Sequence, residues 1–318
     1  MSEQNDNWER GVLEKLAMSA IQEQRRARHW SILFKVLTFG YLFILLYLFM
    51  GWGESKKESP LGGSNHTALV NLHGVIAADT AANADDIISS LQDAFEDAHT
   101  QGVVLRINSP GGSPVQAGYI NDEIRRLRAK HPSIPLYVVV EDICASGGYY
   151  IAAAADKIFV NKASMVGSIG VLMDGFGFTG TMEKLGVERR LITAGENKGF
   201  LDPFSPANPA QSEYARQMVG EIHQQFIDVV RQGRGQRLKQ SPELFSGLVW
   251  TGERSIELGL ADAEGSLDSV AREVIKAENI VDFTVHEGLA DRLAQRFGAG
   301  VASALPGFMA KLDRTAIH

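Results

Sequence analysis

An uncharged run from Val36 to Trp52 (VLTFGYLFILLYLFMGW) constrains this chain more than any other stretch. It is apolar on every face, which suits a bilayer better than a half-exposed globular surface. Its length is at the short end of the roughly 17–25 residues that a helical span needs. Ser31–Phe34 extend it, with Lys35 snorkelling toward the interface. Trp30, Tyr41, Tyr47 and Trp52 are suited to the headgroup level. A buried core helix is the weaker reading, because the run lies far from any core. A cleaved signal peptide is also weaker, because a long polar segment precedes the run and no A-x-A site follows it. Arg25, Arg26, Arg28 and Lys35 precede the run, whereas Lys56 and Lys57 follow it beside Glu54 and Glu58. The excess of Lys and Arg on the N-terminal side predicts a cytoplasmic N-terminus. The chain is therefore expected to be a single-pass protein of the inner (cytoplasmic) membrane. Everything after about residue 54 would lie outside, in the periplasm of a Gram-negative cell.

Residues 1–30 are polar, with Leu13, Leu16, Ala17 and Ile21 at the spacing of a short amphipathic helix. The span is placed at 31–52, and 53–66 (GESKKESPLGGSNH) is a Gly/Ser/Lys-rich linker. A folded domain is expected over 67–285, followed by a helical tail at 286–318. In the domain, short apolar strands alternate with helices. Strands are expected at Leu69–Leu72, Val103–Asn108, Leu136–Val140, Lys157–Val160, Gly170–Met173 and Arg190–Thr193. Helices are expected at Asp85–His99, Gln116–Ala129, Ser146–Ala155 and Ala210–Arg231, with two more within 253–277 around the turn at 259–262. Apolar β-branched runs alternating with helices indicate an α/β fold with parallel strands.

Several chemistries find no motif. The sequence holds no H-E-x-x-H, no zinc-spaced Cys/His cluster, no Walker A motif and no G-x-S-x-G elbow, so no metal or cofactor is expected. A net charge of -7 with no dominant basic patch argues against nucleic acid. The single cysteine, Cys144, reads as a small buried hydrophobe. The eight histidines are scattered and read as solvated or capping residues, with His73 the least clear.

Two Gly-rich turns carry more. Asn108-Ser109-Pro110-Gly111-Gly112 follows an apolar strand, and its glycines let backbone N–H groups face a ligand. Such a turn suits an oxyanion hole, although a plain strand-to-helix turn would look the same. Ala145-Ser146-Gly147-Gly148 also follows a strand and opens a helix. Ser146 is there either an N-cap or a nucleophile. A serine nucleophile needs a base, and no histidine has the right context. Lys198, in G-E-N-K-G-F-L-D-P-F, could serve if burial lowered its pKa, but a loop lysine is usually a solvated cation.

Taken in order, R-I-N-S-P-G-G (106–112), D-I-C-A-S-G-G-Y-Y-I-A (142–152), V-G-S-I-G-V (166–171), G-E-N-K-G-F-L-D-P-F (195–204) and V-W-T-G-E-R-S-I-E-L-G-L-A-D-A-E-G (249–265) resemble the signal peptide peptidase A family. The resemblance covers roughly 67–280 and corresponds to the short, single-unit form. It implies a ClpP/crotonase-type fold and a serine endopeptidase. Ser146 would be the nucleophile and Lys198 the general base. Ser168, otherwise a turn serine, would orient the lysine. Gly111, with Gly112 and the N–H of Gly147, would supply oxyanion donors. Family members often read G-x-Y-K-S around the lysine, whereas this chain reads E-N-K-G, a departure expected to alter loop packing rather than chemistry. The resemblance also implies a ring-shaped homo-oligomer facing the membrane, with Ser146 and Lys198 paired either within one chain or across an interface. Its substrates would be peptides in or near the bilayer, cleaved signal peptides foremost.

Two alternatives stand beside it. An acyl-CoA-handling relative on the same fold would not need Ser146, Lys198 or an anchor. A non-catalytic membrane scaffold would leave both side chains without a role. In the tail, Leu289, Leu293, Phe297, Val301 and Leu305 recur every fourth residue. They suit either a helix packed on protein or an amphipathic helix at the membrane.

Overall fold

The computed structural model describes Met18, 24–26, 28–46 and 64–285. The amphipathic segment expected around Leu13–Ile21, apart from Met18, and the tail at 286–318 lie outside these residues. Among the described residues one helix, α1 (Gln24–Leu46), is long and apolar enough to cross a membrane, with a mean hydropathy of 1.6. It starts in the basic segment and takes in Lys35. Tyr47–Trp52 lie outside the described residues. Arranged as a unit of its own, Pro60–His286 holds everything that follows.

In this unit β1 (His66–His73), α2 (Ala84–Glu96), β2 (Thr100–Ser109), α3 (Pro114–Lys130) and β3 (Leu136–Ala145) form two successive strand–helix–strand crossovers. β2 lies between β1 and β3, and both pairings are parallel. Strand alternation sorts the side chains. Val70, Leu72, Leu105, Ile107, Val138 and Val140 face the main core, whereas Leu69, Val104, Val139 and Phe159 form a smaller cluster on the other side. Both faces are thus covered, which is why these strands read as unbroken apolar runs. α2 docks through Ile87, Leu91 and Phe95, and α3 through Ile120, Ile124 and Leu127, each an i, i+3/i+4 stripe.

β3 is a fork. Its first half, Tyr137–Val139, pairs with β4 (Lys157–Val160). Its far end, Ile143–Ala145, pairs with β5 (Met165–Gly167). The exposed Glu141 and Asp142 lie where the neighbour changes. Three short strands complete the sheet. β6 (Val249–Thr251) is antiparallel to β5, β7 (Ala263–Glu264) is parallel to β4, and β8 (Ile280–Asp282) is parallel to β1. The remaining helices are α4 (Gly147–Ala152), α5 (Thr179–Leu185), α6 (Pro209–Arg234), α7 (Gly252–Glu257) and α8 (Leu267–Ser269), the last continuing into a π-helical turn at Val270–Ile275.

The structure departs from expectation in several places, among them α2, which ends at Glu96 rather than His99. Gly170–Met173 and Arg190–Thr193 are not strands, and the strand of this region is β5 instead. Their apolar residues find neither a ladder partner nor a core: Leu172 is 81% exposed and Ile192 95%. The helix after Ser146 is shorter than expected and ends at Ala152. His66 is not a linker residue but a buried member of β1, with Nε2 3.3 Å from Thr100 Oγ1.

One buried ion pair locks α6 to the 259–262 turn. Arg234, with a fully buried side chain, donates to both Asp262 carboxylate oxygens at 2.8 and 2.9 Å and to Gly259 O at 2.9 Å. Burial alone would raise the Asp262 carboxyl, but the Arg234 hydrogen bonds and charge outweigh it and hold the group below the usual carboxylate range.

Candidate functional site

The strand-to-helix turns after β2 and β3 each carry a serine, and they use it differently. After β2, Ser113 has an extended backbone and its Oγ accepts from Gln116 N at 3.4 Å, an ordinary N-cap ahead of Pro114. After β3, Ser146 occupies the N-cap position of α4, but its φ is 51° and ψ −121°, and its side chain makes no capping bond. A non-glycine residue in this region costs of order 1–3 kcal/mol and marks a site that its surroundings hold in place. Ser146 N donates to Gly167 O at 2.8 Å, and Ser146 O accepts from Tyr150 N at 2.9 Å. The hydroxyl is left over, at a sharp turn of the kind that presents a nucleophile.

The Gly111-Gly112 turn packs against it. A Cβ on Gly111 would lie 2.7 Å from both Gly147 N and Ser146 Cβ, and one on Gly112 would lie 2.1 Å from Ile76 O. Their φ values are +103° and +151°. Only glycine fits such contacts. The Gly111 N–H donates to Ser109 Oγ at 3.1 Å and Gly111 O accepts from Ile76 N at 2.9 Å. Gly112 sits in a parallel bridge to Ile76 that uses its neighbours' groups and spares its own N–H. Gly147 is adjacent: a Cβ there would lie 3.3 Å from Gly112 N. Gly111, the first choice from sequence as an oxyanion donor, thus has its N–H engaged, while Gly112 and Gly147 both border the open space beside Ser146.

That space is a cavity of about 500 Å3. Gly112, Ser146, Gly147 and Ser168 line it, with apolar walls from Pro114, Leu172, Ile222 and Phe226. Tyr150 lines it too, its ring 5.2 Å from that of Phe226. Ser168 has a φ of 52°, the same unusual sign as Ser146, and its N–H donates to Leu248 O at 2.8 Å. Sequence gave no local reason to single Ser168 out, and β5 brings it here by pairing with the end of β3.

Lys198 is not brought to this cavity. It is exposed, in a series of turns where its N–H donates to Gly195 O at 3.1 Å. Its side chain does not line the cavity that Ser146 and Ser168 share. Cys144, two residues before Ser146, is fully buried, and burial pushes its thiol well up, so it is packing rather than chemistry. His73 is exposed at the end of β1, away from the cavity lining. His223 was passed over in the sequence, yet its Nε2 lies 3.1 Å from Ile169 O, beside Ser168. No sequence signal singles it out.

Several known proteins similar to this chain carry peptidase or protease names. Residues 128–281 match the profile described as Peptidase family S49. The chain is 31% identical over 251 residues to a putative signal peptide peptidase SppA of Enterococcus faecium, covering 76% of this chain and 72% of that protein. It is 32% identical over 230 residues to a putative protease of Methanocaldococcus jannaschii, covering 69% of this chain and 73% of that protein. It is also 45% identical over 209 residues to a protein named Na(+)/H(+) antiporter NhaA in Brucella melitensis. That match covers 64% of this chain but spans only 28% of the length of the antiporter-named protein.

Proposed function

Because this chain belongs to peptidase family S49, we propose that it is a membrane-anchored serine endopeptidase with Ser146 as nucleophile and Lys198 as general base. The observation that carries the proposal is the Ser146 turn: a serine at φ 51° with an uncapped hydroxyl, opening on a cavity shared with Ser168 and two glycine N–H groups. Ser146 Oγ attacks the scissile carbonyl carbon while neutral Lys198 Nζ takes its proton. The N–H groups of Gly112 and Gly147 receive the oxyanion, and Gly111 shapes the turn. The lysine ammonium then protonates the leaving amine, giving an acyl-enzyme. Lys198 next deprotonates a water that releases the acid and restores Ser146. Ser168 Oγ accepts from the ammonium and orients it.

In this proposal the fold is of ClpP/crotonase type, and the domain limits are those read from sequence except that His66 joins the domain: 1–30, a span at 31–52, a linker at 53–65, the peptidase domain at 66–285 and a tail at 286–318. The exposure of Lys198 supports its delivery from a neighbouring copy in a ring-shaped homo-oligomer. α1 supports an anchor in the inner membrane, with the catalytic domain extracytoplasmic. The substrates are then peptides at the bilayer, signal peptides among them. The apolar cavity walls suit such side chains. Antiport is not carried over, given how little of the antiporter-named protein is matched.

The test is hydrolysis of a fluorogenic apolar peptide by the full chain in detergent. Ser146→Ala and Lys198→Ala each abolish it, and retained cleavage in both refutes the proposal. Co-assembly of the two inactive variants separates the pairings. Recovered activity means that Lys198 crosses between copies, and none means that it serves its own chain.

A further inference from the structure

The Ser168 turn is held from three directions. Gly167 O accepts from Ser146 N at 2.8 Å, and Leu248 O accepts from Ser168 N at 2.8 Å. The third tie comes from a helix 54 residues along the chain: His223 on α6 meets Ile169 O at 3.1 Å through Nε2. A carbonyl oxygen can only accept, so His223 carries a proton on Nε2 and donates it. We propose that His223 is a positioning residue that fixes the Ser168 turn in its left-handed conformation. The inference rests on the reading of Ser168 as the group that orients the lysine.

Two observations separate this from ordinary helix docking. α6 is packed by Phe226, Val230 and Arg234, all C-terminal to His223, and no residue of α6 before Phe226 is buried. The helix therefore does not need the His223 bond to stay in place. Ser168, by contrast, is a non-glycine residue at φ 52°, a conformation that lasts only where its surroundings impose it. A turn that relaxes by a fraction of an ångström moves Ser168 Oγ relative to Ser146, and misplacement on that scale is expensive in rate.

The experiment uses the full chain and a fluorogenic peptide. His223→Leu lowers kcat on the order of 10-fold and leaves KM within about twofold. His223→Gln, whose amide also offers a donor, restores kcat to within about threefold of wild type. In a Ser168→Ala background His223→Leu adds less than about twofold, because the two act through one group. Hydrogen exchange without substrate gives a second readout. Amides of Val166–Leu172 exchange faster in the Leu variant and return to wild-type rates in the Gln variant. Unchanged exchange in β1 and β2 shows that the fold is intact. Unchanged kcat and exchange in His223→Leu, a failure of Gln to rescue, or additive effects with Ser168→Ala would overturn the inference. An inactive wild type counts against the peptidase reading, and the exchange data then decide on His223 by themselves.

Discussion

The stretch from β1 to β4 and the stretch from Gly170 to Gln225 belong to one unit but obey different rules. In the first, most strand side chains are buried and each helix has a covered stripe. In the second, no residue is buried, and Leu172, Phe176, Leu185 and Ile192 are all more than 70% exposed. The second stretch is not without order. Phe178 stacks on Phe204, Arg189 lies over Phe204, and Asp202 gathers Ser205 and Arg189. It lacks a core of its own. The serine turns stand on the first kind of structure and Lys198 on the second. On the proposed reading, the Ser146 side of the site is finished within one chain and the Lys198 side is left to be completed by a neighbouring copy. The proposed homo-oligomer would cover this exposed apolar surface.

Substitutions on the two sides should therefore separate activity from stability. Ser146→Ala has the largest expected effect, a loss of roughly 10^4-fold or more in peptide hydrolysis, with the thermal transition unmoved. Lys198→Ala should approach that loss and also leave the thermal transition where it is, since the side chain is exposed. A cooperative stability loss in Lys198→Ala would break the comparison, because it would place the lysine in a core. Asp262→Asn strikes the organised side and should cost about 3–5 kcal/mol in denaturant unfolding, because it leaves the buried Arg234 without its counter-charge. The folded pKa of Asp262 is depressed, so its contribution is present above the unfolded value and lost as pH falls through the folded one. The gap between wild type and Asp262→Asn should be full at neutral pH and close below about pH 4. Gly112→Ala should cost about 1–3 kcal/mol through its clash with Ile76 O and should lower kcat as the turn shifts. Ile192→Ser is the smallest case, within about 0.5 kcal/mol in the unfolding of a single chain. Any effect it has should appear instead as weaker self-association in sedimentation.

The same division governs what could be read beforehand. β1, β2, β3, α2, α3 and α6 were legible because burial imprints a period: Ile87, Leu91 and Phe95, or the run Leu136–Val140. Gly170–Met173 and Arg190–Thr193 misled because their apolar residues look like core but have no core to join. The short strands β6, β7 and β8 carry too few residues for a period to register. At the site, Ser146 was visible as either a cap or a nucleophile, and its backbone angles and uncapped hydroxyl tell against the cap. Ser168 could be picked out only by family likeness. The engagement of the Gly111 N–H by Ser109 depends on a contact between residues two apart, and the His223 contact joins residues 54 apart. Neither leaves a composition signal.

The glycine contacts around Ser146 also set where this enzyme can be altered. Beside Ser146, positions 111 and 112 have no room for a single added carbon without displacing backbone, and at 147 the neighbour would have to give by a few tenths of an ångström. Added side chains there are costly. The opposite wall, formed by Leu172 and by Ile222 on α6, is only partly covered and has no such limit. A library meant to change which peptides are cut should therefore leave the turns fixed and randomise one helix face and one loop.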